Sequence, residues 1–308
     1  MNREQLTGLW PVMITPFTRD GEIDYASLER LIAWYEDNGV TGLFAACQSS
    51  ETFFLSLRER EELVRFVKQH AHVPVVASGH ISESVTDQIE ELQRIGRTGV
   101  DALILISNRL APQHADPQVF LSRLKTFMSV LDPEIPLGFY ECPSPYKRLL
   151  SMDELKFCAD SGRFYFMKDT CCDLALIRRR LDVIQGSPLR LFNANTTTLL
   201  DSLRAGAAGF SGVMMNFHPG LYAWLMQNWE KQPKKAEQLQ AFLTAFALIE
   251  NHAYPVNAKY YLQTCAHVLS DIQSRAQQVE NLTETYRDEV RQMATAEACL
   301  WEFLKQDA

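Results

Sequence analysis

The chain is 308 residues long and 46% hydrophobic, with 38 acidic against 30 basic side chains and a formal net charge of -8 at pH 7. That much apolar material fills either two ordinary domains or one large barrel with an appendage. The acidic balance, with no window in which Lys and Arg interleave with aromatics, excludes the usual electrostatics of nucleic-acid or anionic-membrane binding and leaves small molecules or further copies of the chain as partners.

The N-terminal "MNREQLTGLWPVMITPF" has no apolar core of signal-peptide length, and nowhere do about 18 apolar residues run together, so a cytosolic address with no membrane span is expected. Cys47, Cys142, Cys158, Cys171, Cys172, Cys265 and Cys299 include no CxxC pair and no His partner at zinc spacing. Reduced thiols are expected, the adjacent Cys171 and Cys172 included, because a vicinal disulfide is strained and the cytosol is reducing.

In chain order, eight β-rich apolar runs read as strands: "WPVMITPF" (10–17), "GLFAACQ" (42–48), "VPVVASGH" (73–80), "DALILIS" (101–107), "IPLGFYECP" (135–143), "FYFMKDT" (164–170), "LRLFNANTT" (189–197) and "GFSGVMMN" (209–216). Between them the apolar spacing changes to that of a helix, as at Leu28, Leu31, Ile32 and Tyr35, and Ser151 with Glu154 forms a capping box. Gly39, Gly42, Gly96, Gly99, Gly162, Gly206 and Gly209 recur where helices give way to strands. Near-continuous hydrophobic strands alternating with helices indicate a parallel sheet, and eight units over roughly 230 residues match a closed (β/α)8 barrel. An open doubly wound sheet competes, but no GxGxxG follows the first strand. From about Lys231 the pattern becomes helical only: "KKAEQLQAFLTAFALIENHAY", "NAKYYLQTCAHVLS" and "VENLTETYRDEVRQMATAEACLWEFL". The expected organisation is therefore a barrel domain over 1–230 and a helical appendage over 231–308, packed on the barrel because no Gly/Ser linker separates them.

Reactive groups of such barrels sit at the C-terminal ends of strands. Lys168 ends the sixth run directly after Phe164, Tyr165, Phe166 and Met167. Two readings of it are open: a strand-end lysine paired with Asp169 and reaching water, or a desolvated, partly neutral amine able to condense with a carbonyl. Tyr140 ends the neighbouring strand, where its phenol can either pack or carry protons for the same reaction. In "CQSSE", Ser49 and Ser50 lie in a strand-to-helix turn, as helix caps or as holders of a keto-acid carboxylate. His80, His114 and His218 read as structural or substrate-contacting. Glu51 and Glu141 either orient the site or sit at the rim beside Arg58, Lys147 or Arg148.

These pieces, in this order, resemble the family of dihydrodipicolinate synthase and N-acetylneuraminate lyase, the class I pyruvate-dependent aldolases. The resemblance covers nearly the whole chain. "ITPF" at 14–17 is similar to the family's first strand and "CQSSE" at 47–51 lies where the family has Gly-Thr/Ser-Thr-Gly-Glu. "YECP" at 140–143 lies where the family has Tyr-Asn-x-Pro, "MKDT" at 167–170 matches its lysine strand, "GFSGVMMN" its last strand, and "YPVNAK" at 254–259 its Asn-Pro-x-Pro-x-Lys. The resemblance implies Lys168 as the Schiff-base lysine, Tyr140 as the proton-transferring phenol and Ser49 with neighbouring amides as the carboxylate holder. It places Gln48, Ser50, Thr170, Ser211 and Asn216 around the substrate. It also implies a homotetramer and no metal or organic cofactor, since the imine is itself the electron sink.

The departures are specific. Gln48 stands where the family's hydroxyl passes protons to the tyrosine, Leu110 or a neighbour where the synthase has a second tyrosine, and Pro145 where it has an arginine, while Cys47, Ser50 and Ala194 replace glycines. "NANTTT" supplies only neutral groups where the lyase contacts sialic acid. The expected function is a lyase or aldolase acting on pyruvate or a 2-keto-3-deoxy sugar acid, with Arg109, Lys147 and Arg148 meeting a polar, anionic distal end. Three alternatives stand beside it: a barrel that binds a 2-keto acid without turnover, an imine-dependent dehydratase, and dihydrodipicolinate synthesis itself, against which the departures count.

Overall fold

The computed structural model describes residues 6–306. Its eight strands are β1 Gly8–Leu9, β2 Leu43–Ala45, β3 Val75–Ala77, β4 Ala102–Ile106, β5 Leu137–Tyr140, β6 Phe164–Asp169, β7 Arg190–Asn193 and β8 Gly209–Phe210. All pair in parallel in the order β1-β8-β7-β6-β5-β4-β3-β2. The ring closes where the Phe44 amide donates to the Pro11 carbonyl and the Met13 amide to the Phe44 carbonyl, both at 3.1 Å. The chain is a (β/α)8 barrel.

Helices follow the strands in chain order: α1 Tyr25–Asp37, α2 Leu57–His70, α3 Val85–Gly96, the single turn α4 Ser107–Leu110, α5 Pro117–Val130, α6 Met152–Ser161, α7 Leu174–Ile184, α8 Leu199–Arg204 and α9 Pro219–Asn228. Leu28, Leu31, Ile32 and Tyr35 are the buried stripe of α1, and the Ser151–Glu154 box caps α6, which stops at Gly162 in the left-handed region. The helical tail consists of α10 Pro233–Phe246, α11 Val256–Thr264 and α12 Glu284–Lys305.

Strand alternation separates two apolar clusters. Trp10, Phe44, Val76, Ile104, Phe166 and Phe192 fill the barrel, with Phe166 stacked on Phe192 at 4.5 Å between centroids and Trp10 edge-on to Phe166 at 5.3 Å. Leu43, Val75, Leu103, Leu137, Met167 and Leu191 face the helices. Lys168 shares the parity of Phe166, so the sequence itself turns it inward. Its register partners are Tyr140 on β5 and Phe192 on β7. At the β1–β8 seam a Cβ on Gly209 would fall 1.8 Å from the Gly8 carbonyl oxygen, so only glycine lets these strands approach.

Several boundaries differ from the sequence reading. The first strand lies upstream of "WPVMITPF", because Pro11 and Pro16 lack the N–H groups that a continuous ladder needs, and Val12 retains a single bridge to Phe44. In "GFSGVMMN" only Gly209–Phe210 is strand, and Val213–Asn216 forms a 3-10 turn over the barrel mouth. "SNRLAP" contains the unforeseen α4, and "KKAEQLQAFLTAFALIENHAY" breaks after Phe246 into a 3-10 turn over Ala247–Asn251. Among the described residues no helix is long and apolar enough to cross a membrane.

Candidate active site

A cavity of about 350 Å³ opens over the C-terminal strand ends, lined by Gln48, Ser49, Tyr140, Lys147, Lys168 and Thr170 from the barrel and by Glu250, Tyr254 and Ala276 from the tail. Lys168 is 5% exposed, and its Nζ lies 4.4 Å from the centroid of the Tyr140 ring. Among the described residues it makes no ion pair. Burial lowers its pKa to about 8, against the opposing pull of the nearby Cys47 and Cys142 thiols. The solvent-reaching pair with Asp169 is not what the structure shows.

Asp169 instead pairs with Arg180 of α7, a contact made by the Nη1 group, and Arg180 also grips Glu141 at 2.7 and 3.0 Å, all three side chains being fully buried. The cause is again the period of two. Tyr140 and Lys168 point into the barrel, so Glu141 and Asp169, one residue on, point outward into a single arginine that fastens the ends of β5 and β6 together. Glu141 also accepts from the Leu150 amide at 2.8 Å, so it belongs to the wall rather than the rim. Burial raises its pKa, with Arg180 opposing.

The Tyr140 hydroxyl donates to Gln48 Oε1 at 3.4 Å, and burial holds its pKa well above the ordinary phenol value. The Cys142 thiol reaches the same amide oxygen at 3.4 Å. Gln48, Ser49 and Ser50 form a short 3-10 turn after β2, with Ala46 and Glu51 in the left-handed region on either side. Ser49 faces the cavity against the Tyr254 hydroxyl. Ser50 turns away and donates to the Met13 carbonyl at 2.6 Å. Thr170 lines the cavity, but its hydroxyl donates to the Glu141 carbonyl at 2.7 Å, and its own carbonyl accepts from Lys147 Nζ at 2.8 Å.

Other expected site residues are bound into the wall. Ser211 donates to the Trp10 carbonyl at 2.8 Å, and Asn216 donates to the Val12 carbonyl and to the Tyr254 hydroxyl, each at 3.0 Å, while accepting from Tyr35. Arg148 pairs with Glu154 at 2.6 Å and Arg109 lies over the Phe53 ring, so of the three expected cations only Lys147 lines the cavity. His80 accepts from the Ile106 amide at 2.6 Å, His218 stacks on Tyr222 with its pKa pushed down to about 3 by burial, and Leu110 packs in the outer core. His114 is exposed in the loop after β4.

The sequence reading missed the tail's share. Glu51 is buried, and its carboxylate accepts from Lys259 Nζ, Ser274 Oγ and the amides of Arg275 and Ala276. This fastens the Gln48–Ser50 turn to a segment more than 200 residues away. Burial lowers the Lys259 pKa to about 8, with Glu51 opposing. "YPVNAK" was the one signal that the tail mattered, and it brings Tyr254 into the cavity wall.

An eight-stranded barrel that presents a buried amine beside a phenol at the mouth has the layout of the lysine-dependent lyases and synthases. The model of the dihydrodipicolinate synthetase family matches residues 5–297, and the chain belongs to that family as a divergent member. It is 26% identical over 212 residues to the 4-hydroxy-tetrahydrodipicolinate synthase of Methanosarcina mazei, covering 69% of this chain and 71% of that one. It is 25% identical over 262 residues to the same-named protein of Pseudoalteromonas atlantica, covering 82% and 87%. A prophage protein of the dihydrodipicolinic acid synthase family from E. coli K12, solved in complex with pyruvate, superimposes with a TM-score of 0.83 at 22% identity over 96% of this chain and 98% of that one. A monomeric dihydrodipicolinate synthase variant gives 0.85 at 18% identity, over 96% and 97%.

Proposed function

We propose that the protein is a class I aldolase that condenses Lys168 with pyruvate or the keto end of a 2-keto-3-deoxy sugar acid. The neutral amine attacks C2, the carbinolamine loses water, and the resulting protonated imine accepts the electron pair released when a proton leaves C3 or when the C3–C4 bond breaks. In the synthetic direction the enamine carbon attacks an aldehyde, and hydrolysis returns the lysine. Tyr140 is placed to move protons at the carbinolamine and at the aldehyde oxygen, with Gln48 accepting its hydrogen bond. Ser49 and its turn face the keto-acid carboxylate. The observation that carries this reading is the Lys168 amine itself, 5% exposed, in the cavity wall and, among the described residues, in no ion pair.

Gln48 and Pro145, with neither the relay hydroxyl nor the arginine in place, favour a substrate other than that named for the curated relatives. Incubation with pyruvate followed by borohydride tests the proposal. The expected result is a mass gain confined to Lys168, absent in Lys168→Ala and slowed in Tyr140→Phe, together with exchange of pyruvate methyl protons in deuterated water. No adduct with any 2-keto acid refutes it, and an adduct without exchange assigns the barrel to binding rather than turnover.

A further inference from the structure

Glu250 sits in the 3-10 turn that joins α10 to α11, and its side chain lines the same cavity as Lys168. Among the described residues it has no hydrogen-bond or ion-pair partner. The contrast with Glu51, the other acidic residue of the lining, is sharp: that carboxylate receives four donors from the tail, the Lys259 ammonium among them. Glu250 keeps an exposed face at the mouth, yet it is crowded enough that burial raises its pKa, and it and the Lys168 amine act on each other electrostatically.

A charge count decides what such a group is for. The cavity lining holds one further cation, Lys147, whose ammonium is already engaged by the Thr170 carbonyl. The keto acid brings one carboxylate, which the Ser49 turn and the remaining Lys147 donors can meet. Arg109 and Arg148, which would have received a second anion, lie outside the lining. A second carboxylate on the incoming aldehyde would therefore find no cation in the lining besides Lys168 and Lys147, both already assigned, and would share the cavity with the like charge of Glu250. Hydroxyl groups would find in Glu250 an acceptor with every lone pair available.

We propose that Glu250 selects the second substrate, taking a neutral aldehyde that carries hydroxyl groups and rejecting one that carries a carboxylate. This deepens the aldolase reading and rests on it. The protein with pyruvate and either glyceraldehyde or succinic semialdehyde supplies the test, comparing the native chain with Glu250→Gln. The native enzyme is expected to favour glyceraldehyde in kcat/KM by about 10- to 100-fold, the range of a hydrogen bond to a charged group. Glu250→Gln is expected to erase most of that preference through KM for glyceraldehyde, with the pyruvate adduct still confined to Lys168 and forming no more slowly than in the native chain, since a charge that favours the ammonium form is gone, and with the melting temperature unmoved. A merely structural role would lower both substrates together and leave the ratio intact.

A native enzyme that prefers succinic semialdehyde, that traps pyruvate yet consumes neither aldehyde, or whose preference survives Glu250→Gln overturns the assignment while leaving the imine chemistry standing. Absence of the pyruvate adduct removes both.

Discussion

The proposed imine chemistry carries a pH dependence set by where Lys168 lies. Its pKa is lowered from 10.5 to about 8, chiefly because burial disfavours the ammonium form. At pH 7 about one molecule in ten then carries a neutral amine, against about one in 3,000 for an ordinary lysine, a gain of about 300-fold in nucleophile. The test mixes protein with a low concentration of pyruvate at pH 6 to 10, quenches aliquots with borohydride under one fixed condition and reads the modified fraction by mass. The initial rate should climb about tenfold per unit up to about pH 8 and then level off. A climb that continues to pH 10 would mean that the amine is solvated and ordinary, and the desolvation account of the site would fall with it.

The same shift has a stability consequence. Between about pH 8 and 10.5 the unfolded chain binds the proton that the folded chain has lost, so this residue's unfavourable contribution shrinks as pH rises through that window and is complete below it. Lys168→Met should accordingly raise stability in urea by about 3 kcal/mol at pH 7, with little difference above pH 10.5. Arg180→Leu strands Glu141 and Asp169 without their cation. It should cost about 3–5 kcal/mol at pH 7 and less at pH 5, because burial already raises the Glu141 pKa, the opposing cation is gone, and the folded state then gains from protonation of that carboxyl as pH falls. Lys259→Met leaves Glu51 with only its amide and hydroxyl donors; a loss of about 3 kcal/mol in urea and a higher KM for pyruvate are expected, since the Ser49 turn loses its anchor.

What was readable in the chain was whatever is written at short range. The period of two in "FYFMKDT" and "GFYECP" is enough to aim Lys168 and Tyr140 to the same side, and the capping box of Ser151 and Glu154 is a local pattern that stays local when folded. Glu141 and Glu51 went unread because their partners lie 39 and 208 residues away, and no spacing rule reaches that far. Nothing in "ALIENH" distinguishes a glutamate that lines a cavity from one on an exposed helix end. The first strand was displaced because apolar composition outweighed the two prolines in the reading, whereas in the barrel their missing amide hydrogens decide where pairing stops.

The last barrel strand is complete at Phe210, but Tyr254, Lys259 and the stretch Ser274–Ala276 that clasps Glu51 are synthesised later. A chain growing from its N-terminus on the ribosome has all eight strands outside before it has a finished cavity. The cavity wall is therefore completed late during synthesis: a polypeptide stopped soon after the eighth strand carries Lys168 and Tyr140 but lacks the side of the cavity that Glu250, Tyr254 and Ala276 supply.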